Sequence, residues 1–208
     1  MMPTHLRSFL FRVLLLACTV LFGCAEHAPE LPRLDADDVV LAFGDSLTYG
    51  TGVQEEESYP EVLSALIGRA VVSAGVPGER TAGGLARLAD VLDAYQPKIM
   101  LLCLGGNDML RKVDANEIEA NLRRMIETAT ARGVGVVLIG VPEPALFGGT
   151  AQFYQRIAKD YAIPYEGEAL DEILRNNEYK SDSIHPNARG YRQLAMALAE
   201  VLKRSGAI

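Results

Sequence analysis

Val39-Val40-Leu41-Ala42-Phe43, followed at once by Gly44-Asp45-Ser46-Leu47, is the stretch on which the fold turns. Apolar residues in unbroken succession suit a strand buried on both faces, and the glycine and acid behind them break it at a turn. Similar runs recur at Ala70-Val71-Val72, at Ile99-Met100-Leu101-Leu102-Cys103-Leu104 and over residues 134–139. Between them the apolar period becomes helical. Leu85, Leu88, Leu92 and Tyr95 share one face; Ile118, Leu122, Met125, Ile126 and Ala129 share another; Tyr191, Leu194, Ala195, Leu198 and Leu202 share a third. Pro60 suits the first turn of a helix running to about Ile67, and Gly133 suits the end of another. A further helix is expected over residues 151–161, then a short strand at Ile163-Pro164-Tyr165. Strands alternating with amphipathic helices predict an α/β, three-layer, doubly wound domain with about five mostly parallel strands.

Ligands in such sheets bind beyond the carboxyl ends of the strands, so the residues that punctuate those ends are the functional candidates. Gly44-Asp45-Ser46-Leu47 follows the first strand, Gly75 to Gly78 the second, and Gly105-Gly106-Asn107-Asp108 the third. A serine hydroxyl is a weak nucleophile until a base takes its proton. The chain has three histidines, and His5 and His27 both precede the folded body, so His185 is the one imidazole base available to it. Asp182, three residues earlier, is placed to fold back on one ring nitrogen and leave the other to accept a proton. A carboxamide at Asn107 can donate to a developing oxyanion. Each of these residues also has a plainer reading: Ser46 as a helix cap, Asn107 as a turn former, His185 as a surface side chain.

Taken in order, Gly44-Asp45-Ser46-Leu47, the glycine segment after the second strand, Gly105-Gly106-Asn107-Asp108 and Asp182-x-x-His185 resemble the SGNH, or GDSL, hydrolases. The resemblance covers the body from about Val39 to Leu202. It is nearest to the arylesterase, acyl-thioesterase and lysophospholipase subgroup, where residues 78–88 have a near counterpart. It implies an acyl-transferring serine ester hydrolase with Ser46 as nucleophile and Asp182 and His185 completing the triad. The oxyanion donors it implies are the N–H groups of Ser46 and Gly78 and the Asn107 side chain, with Gly75 a weaker candidate. Two positions depart from the family pattern: Ser73 stands where Asn is usual, and Pro77 where a small polar residue precedes the glycine. The Gly-x-Ser-x-Gly elbow of other hydrolases is absent, since Thr48 occupies its last position.

The chain's beginning reads as an address. Arg7 and Arg12 precede an apolar run over residues 13–23, too short for the roughly 20 residues that cross a bilayer as a helix. Leu21-Phe22-Gly23-Cys24 resembles a lipobox, so residues 1–23 are expected to be a lipoprotein signal and Cys24 a lipidated mature N-terminus. Residues 24–38, rich in Pro and acids, are expected to be a tether, and residues 39–208 the hydrolase domain. This predicts an exported protein facing the periplasm or cell exterior, touching membrane through its lipid alone.

The 208 residues are 49% hydrophobic, enough for one domain with a proper core. Of three cysteines, Cys18 falls in the signal and Cys24 carries lipid, leaving Cys103 without a disulfide partner. The net charge of −7 becomes more negative once Arg7 and Arg12 are removed, so no basic footprint for nucleic acid exists. A single usable histidine and one strand cysteine do not make a zinc site, and acyl transfer through serine needs no cofactor. The expected partner is a small acyl ester or thioester, held by a monomer. Met109 and Leu110, with Pro144 to Phe147, are the residues expected to line the acyl side. Rival readings are a silent scaffold on the same fold, an acyltransferase using a sugar hydroxyl, and a nucleotide-binding module; the last lacks any Gly-x-x-x-x-Gly-Lys motif.

Overall fold

The computed structural model describes residues 29–144 and 149–208. The signal, Cys24 and Phe147 therefore lie outside the described residues. The sheet has five strands in the order β2-β1-β3-β4-β5, every neighbouring pair parallel. They are β1 (Val39–Gly44), β2 (Ala70–Gly75), β3 (Ile99–Cys103), β4 (Gly135–Ile139) and β5 (Tyr165–Glu166). The helices are α1 (Ser46–Tyr49), α2 (Tyr59–Ile67), α3 (Thr81–Tyr95), α4 (Gly106–Leu110), α5 (Ala115–Thr130), α6 (Gln152–Tyr161), α7 (Ala169–Arg175) and α8 (Ala188–Arg204).

The apolar runs form the central strands because both of their faces are covered. β3 is buried at every position, and so is β1 beyond Val39. Helix α2 packs on α8, while α3 packs on α5 and α5 on α6, so the two sets cover opposite faces. The predicted faces of α5 and α8 are the buried ones. Helix α3 buries Leu88 and Leu92 of its expected face and extends that face to Thr81 and Gly84; Leu85 is partly buried against the core, and Tyr95, the last residue of the helix, is exposed. Thr81 is drawn in by a buried acid, and Gly84 allows close approach to Leu104 and Phe43. The last strand forms two residues later than its apolar composition suggests. Pro164 has no N–H to give the ladder, and its carbonyl accepts from Leu138 instead.

The ordered body reaches further back than residue 39. Leu31 and Leu34 are buried, and their N–H groups donate to the Ser205 and Ala207 carbonyls at 2.9 and 2.8 Å. The segment that precedes β1 thus docks on the end of the chain instead of hanging as a tether throughout. Among the described residues no helix is long and apolar enough to cross a membrane.

This docking is open to measurement. Leu34→Ala removes a buried side chain and should destabilise the domain by about 2–3 kcal/mol, read by denaturant unfolding. An unchanged unfolding midpoint would mean that the segment contributes nothing to the fold.

Candidate active site

The order β2-β1-β3 places a topological switch at the carboxyl ends of β1 and β3, because the chain moves one way from β1 and returns past it to β3. Ser46 stands there as the first residue of α1. Asp45 caps that short helix, its Oδ1 accepting the Leu47 N–H at 3.0 Å. Beneath the turn, the Tyr191 hydroxyl donates to the Thr51 carbonyl at 3.1 Å, and Thr48 Oγ1 lies 3.1 Å from the Tyr59 hydroxyl. Ser73 Oγ donates to the Thr48 carbonyl at 3.2 Å, a use for the side chain that departs from the family pattern. The Ser46 turn is thereby fastened on several sides.

His185 arrives from the loop before α8. Its Nε2 is 3.0 Å from Ser46 Oγ, and its Nδ1 is 2.8 Å from Asp182 Oδ2. A carboxylate only accepts, so Nδ1 carries the proton and Nε2 is left to take one from the serine. Asp182 is itself oriented, since its Oδ1 accepts the N–H groups of Ile184 and His185 at 2.8 and 2.9 Å. Partial burial works against its ionisation. Those N–H groups and the imidazole outweigh burial and hold the carboxyl below its ordinary range. The loop is closed by the Ser181 N–H on the His185 carbonyl and by Asn187, which caps α8 and donates to the Glu178 and Lys180 carbonyls.

Asn107 enters from the end of β3, on α4. Gly105, before that helix, has φ of 120°, and a Cβ there would overlap the Tyr154 hydroxyl, which donates to the Leu104 carbonyl. Asn107 Nδ2 donates to Asp45 Oδ2 at 3.0 Å. An ionised carboxylate cannot donate, so it fixes which way the amide faces and leaves the second Nδ2 hydrogen for another acceptor. Asp45 is buried, and burial pushes its pKa up to about 6 against the opposing effects of the Leu47 N–H and the Asn107 amide. Asp108, also buried, accepts the Thr81 N–H at 2.8 Å and the Thr81 hydroxyl at 2.7 Å, joining α4 to the start of α3.

Ser46, Asn107 and His185 share a cavity of about 520 Å³ whose other walls include Leu47, Leu110, Val141, Pro142, Pro144, Leu174 and Ile184. Leu110 and Pro144 line this cavity, whereas Met109 packs against the core. Gly78 sits in an exposed turn past β2, at the same edge of the sheet, with φ of 77° and its carbonyl accepting from Arg111 at 3.2 Å. Leu174 and Arg175 belong to α7, a helix too short for its periodicity to announce it, and Ile184 lies between Asp182 and His185. Charged groups rim the apolar walls: Glu143, Asp171, Arg175 and Lys180.

The chain belongs to the GDSL-like lipase/acylhydrolase family, which matches residues 42–193, and it is an esterase of that class. It is 30% identical over 179 residues to thioesterase 1/protease 1/lysophospholipase L1 of Escherichia coli K12, covering 82% of this chain and 86% of that one. It is 29% identical to an arylesterase of Vibrio mimicus, covering 88% of this chain and 94% of the relative. Among solved structures, AlinE4, an SGNH-hydrolase family esterase, is 30% identical with a TM-score of 0.65 over 83% of this chain and 98% of its own.

The Asp45 environment predicts a pH-dependent stability. An acid of raised folded pKa binds its proton more tightly in the folded chain, so stability falls as pH rises from the ordinary value of 3.8 through about 6. Asp45→Asn removes that loss. Its stability relative to wild type should increase by on the order of 2–3 kcal/mol between about pH 4 and pH 8 in denaturant titrations. A difference independent of pH would show that Asp45 ionises as it does in the unfolded chain.

Proposed function

We propose that the protein hydrolyses carboxylic or thio esters of apolar acyl groups through an acyl-Ser46 intermediate. The observation that carries this reading is the hydrogen-bonded series Ser46 Oγ, His185 Nε2 and Nδ1, Asp182 Oδ2, opening into an apolar-walled cavity with Asn107 beside the nucleophile. His185 takes the Ser46 proton as Oγ attacks the acyl carbonyl carbon. The carbonyl oxygen becomes negative where Asn107 Nδ2 and the N–H groups of Ser46 and Gly78 serve as donors. His185 then gives its proton to the departing oxygen or sulfur, and water repeats the sequence on the acyl-enzyme. Leu110, Pro144 and Ile184 suit the acyl chain, in keeping with relatives described as a thioesterase and lysophospholipase and as an arylesterase.

We also propose that the chain is exported and held to a membrane by lipid on Cys24, on the strength of Leu21-Phe22-Gly23-Cys24 behind its short apolar run. Docking of Leu31 and Leu34 on the Ser205 and Ala207 carbonyls would keep the domain within a few residues of the anchor, and so close to the bilayer.

Ser46→Ala and His185→Ala should each reduce ester turnover to a similar low residual rate, because residues acting as a unit are lost together. Asn107→Ala should lower kcat by about 100-fold or more with KM little changed, its donor being aimed at charge present only in the transition state. Wild-type hydrolysis by Ser46→Ala would refute the reading. For the anchor, mass spectrometry of the membrane-extracted protein should find a diacylglyceryl-modified Cys24 as first residue. Cleavage elsewhere, or lipid retained in Cys24→Ser, would contradict it.

A further inference from the structure

Apolar spacing accounts for Leu88 and Leu92 of α3 but not for what Arg87 does between them. Its side chain is three-quarters covered, and its guanidinium lies over the Phe43 ring, 4.0 Å from the centroid. Nε donates to Glu79 Oε1 at 2.8 Å and Nη2 to Glu79 Oε2 at 2.6 Å, a two-pronged match of fork to carboxylate. The same Nη2 donates to the Ala74 carbonyl at 2.9 Å and makes a longer contact of 3.3 Å to the Gly44 carbonyl. One cation therefore ties together the end of β1, the end of β2 and the residue that closes the turn between β2 and α3.

The turn it spans, residues 75–78, carries Gly78 and has little else to hold it. Val76, Pro77 and Gly78 are all exposed, so no buried side chain fixes their backbone. Its remaining ties are the Val76 N–H to the Gly44 carbonyl at 3.0 Å, the Glu79 N–H to the Val76 carbonyl at 3.1 Å, and Arg111 on the Gly78 carbonyl. Gly44, reached by both Val76 and Arg87, stands two residues before Ser46. Thus the fork fixes both ends of the turn and refers them to the strand that delivers the nucleophile.

We propose that Arg87, with Glu79 as its counter-ion, is a positioning residue that sets the Gly78 N–H relative to Ser46. The proposal rests on the reading of Ser46 as nucleophile and Gly78 as oxyanion donor. It requires arginine, because a lysine ammonium is a point charge that cannot span both Glu79 oxygens and the Ala74 carbonyl while lying flat on Phe43. Its action is on the transition state, since the carbonyl oxygen meets the Gly78 N–H fully only as it becomes an anion.

The test compares the full-length wild-type protein with Arg87→Met, Arg87→Lys and Glu79→Gln. Turnover of a p-nitrophenyl ester is measured well below each melting temperature and expressed per site titrated to completion with a fluorophosphonate. Arg87→Met should lose kcat on the order of 10- to 100-fold, the effect of a displaced catalytic group, with KM nearly unchanged. Inhibition by an alkylboronic acid, which forms a tetrahedral anion on the serine, should weaken by a similar factor. Arg87→Lys should resemble Arg87→Met, and Glu79→Gln should show the same pattern more weakly. Wild-type kcat per titrated site alongside a lowered melting temperature would overturn the proposal and leave a structural ion pair, as would a KM rise that accounts for the lost activity. If Arg87→Met fails to fold, Glu79→Gln decides between these outcomes. A wild-type protein that neither turns over nor labels would instead refute the reading of Ser46, and the positioning role with it.

Discussion

A half-buried hydrogen bond of 3.0 Å from Asn107 Nδ2 to Asp45 Oδ2 joins the two loops on either side of the sheet's topological switch. Asp45 precedes Ser46 at the end of β1, and Asn107 follows β3, which lies against β1 in register. The strand order makes the two ends neighbours; the carboxylate makes the amide face one way. Leaving Asp45 ionised in the interior costs stability, as the upward push on its pKa records. A neutral, well-packed pair in its place would suit the fold better and would no longer dictate the amide's orientation. Such local sacrifice is common where a site needs its donors fixed before the substrate arrives.

Around that bond, three further polar groups that cross between elements act at the same edge. Asp108 holds the first turn of α3, the Arg87 fork holds the turn before it, and Tyr191 holds the turn after Ser46. The core beneath is ordinary apolar packing, with β1 and β3 buried throughout their lengths apart from Val39. The fold thus separates its tasks: hydrophobic burial sets where the strands end, and a small number of directed polar contacts set what stands at those ends.

Much of this was legible in the amino-acid sequence because the informative patterns are local. Unbroken apolar runs mark β1, β3 and β4, and the periods of α5 and α8 mark their buried faces. The proximity of Asp182 to His185 follows from a spacing of three residues, whereas the approach of His185 to Ser46 bridges 139 positions and was suggested only by His185 being the one histidine of the folded body and by the order of the motifs. What was not legible depends on direction. A helical period says that α3 is amphipathic, but it does not say that Arg87, beside the buried face, lies over Phe43. Likewise the sequence offered Ser46 as the helix cap, whereas Asp45 is the cap, and its grip on Asn107 becomes visible only when two distant turns are side by side. Leu31 and Leu34 sit in a Pro- and acid-rich stretch whose composition masks two well-buried side chains.

Whether Ser46 carries the acyl group between two half-reactions can be read by rapid acid quenching during turnover of an activated ester. Acylation by such an ester is fast, so the intermediate accumulates long enough to be digested and weighed. The account predicts one acyl adduct, on the peptide containing Ser46, forming as the leaving group is released and disappearing as substrate is exhausted. Turnover with no adduct on that peptide, or with the acyl group on another side chain, would contradict it.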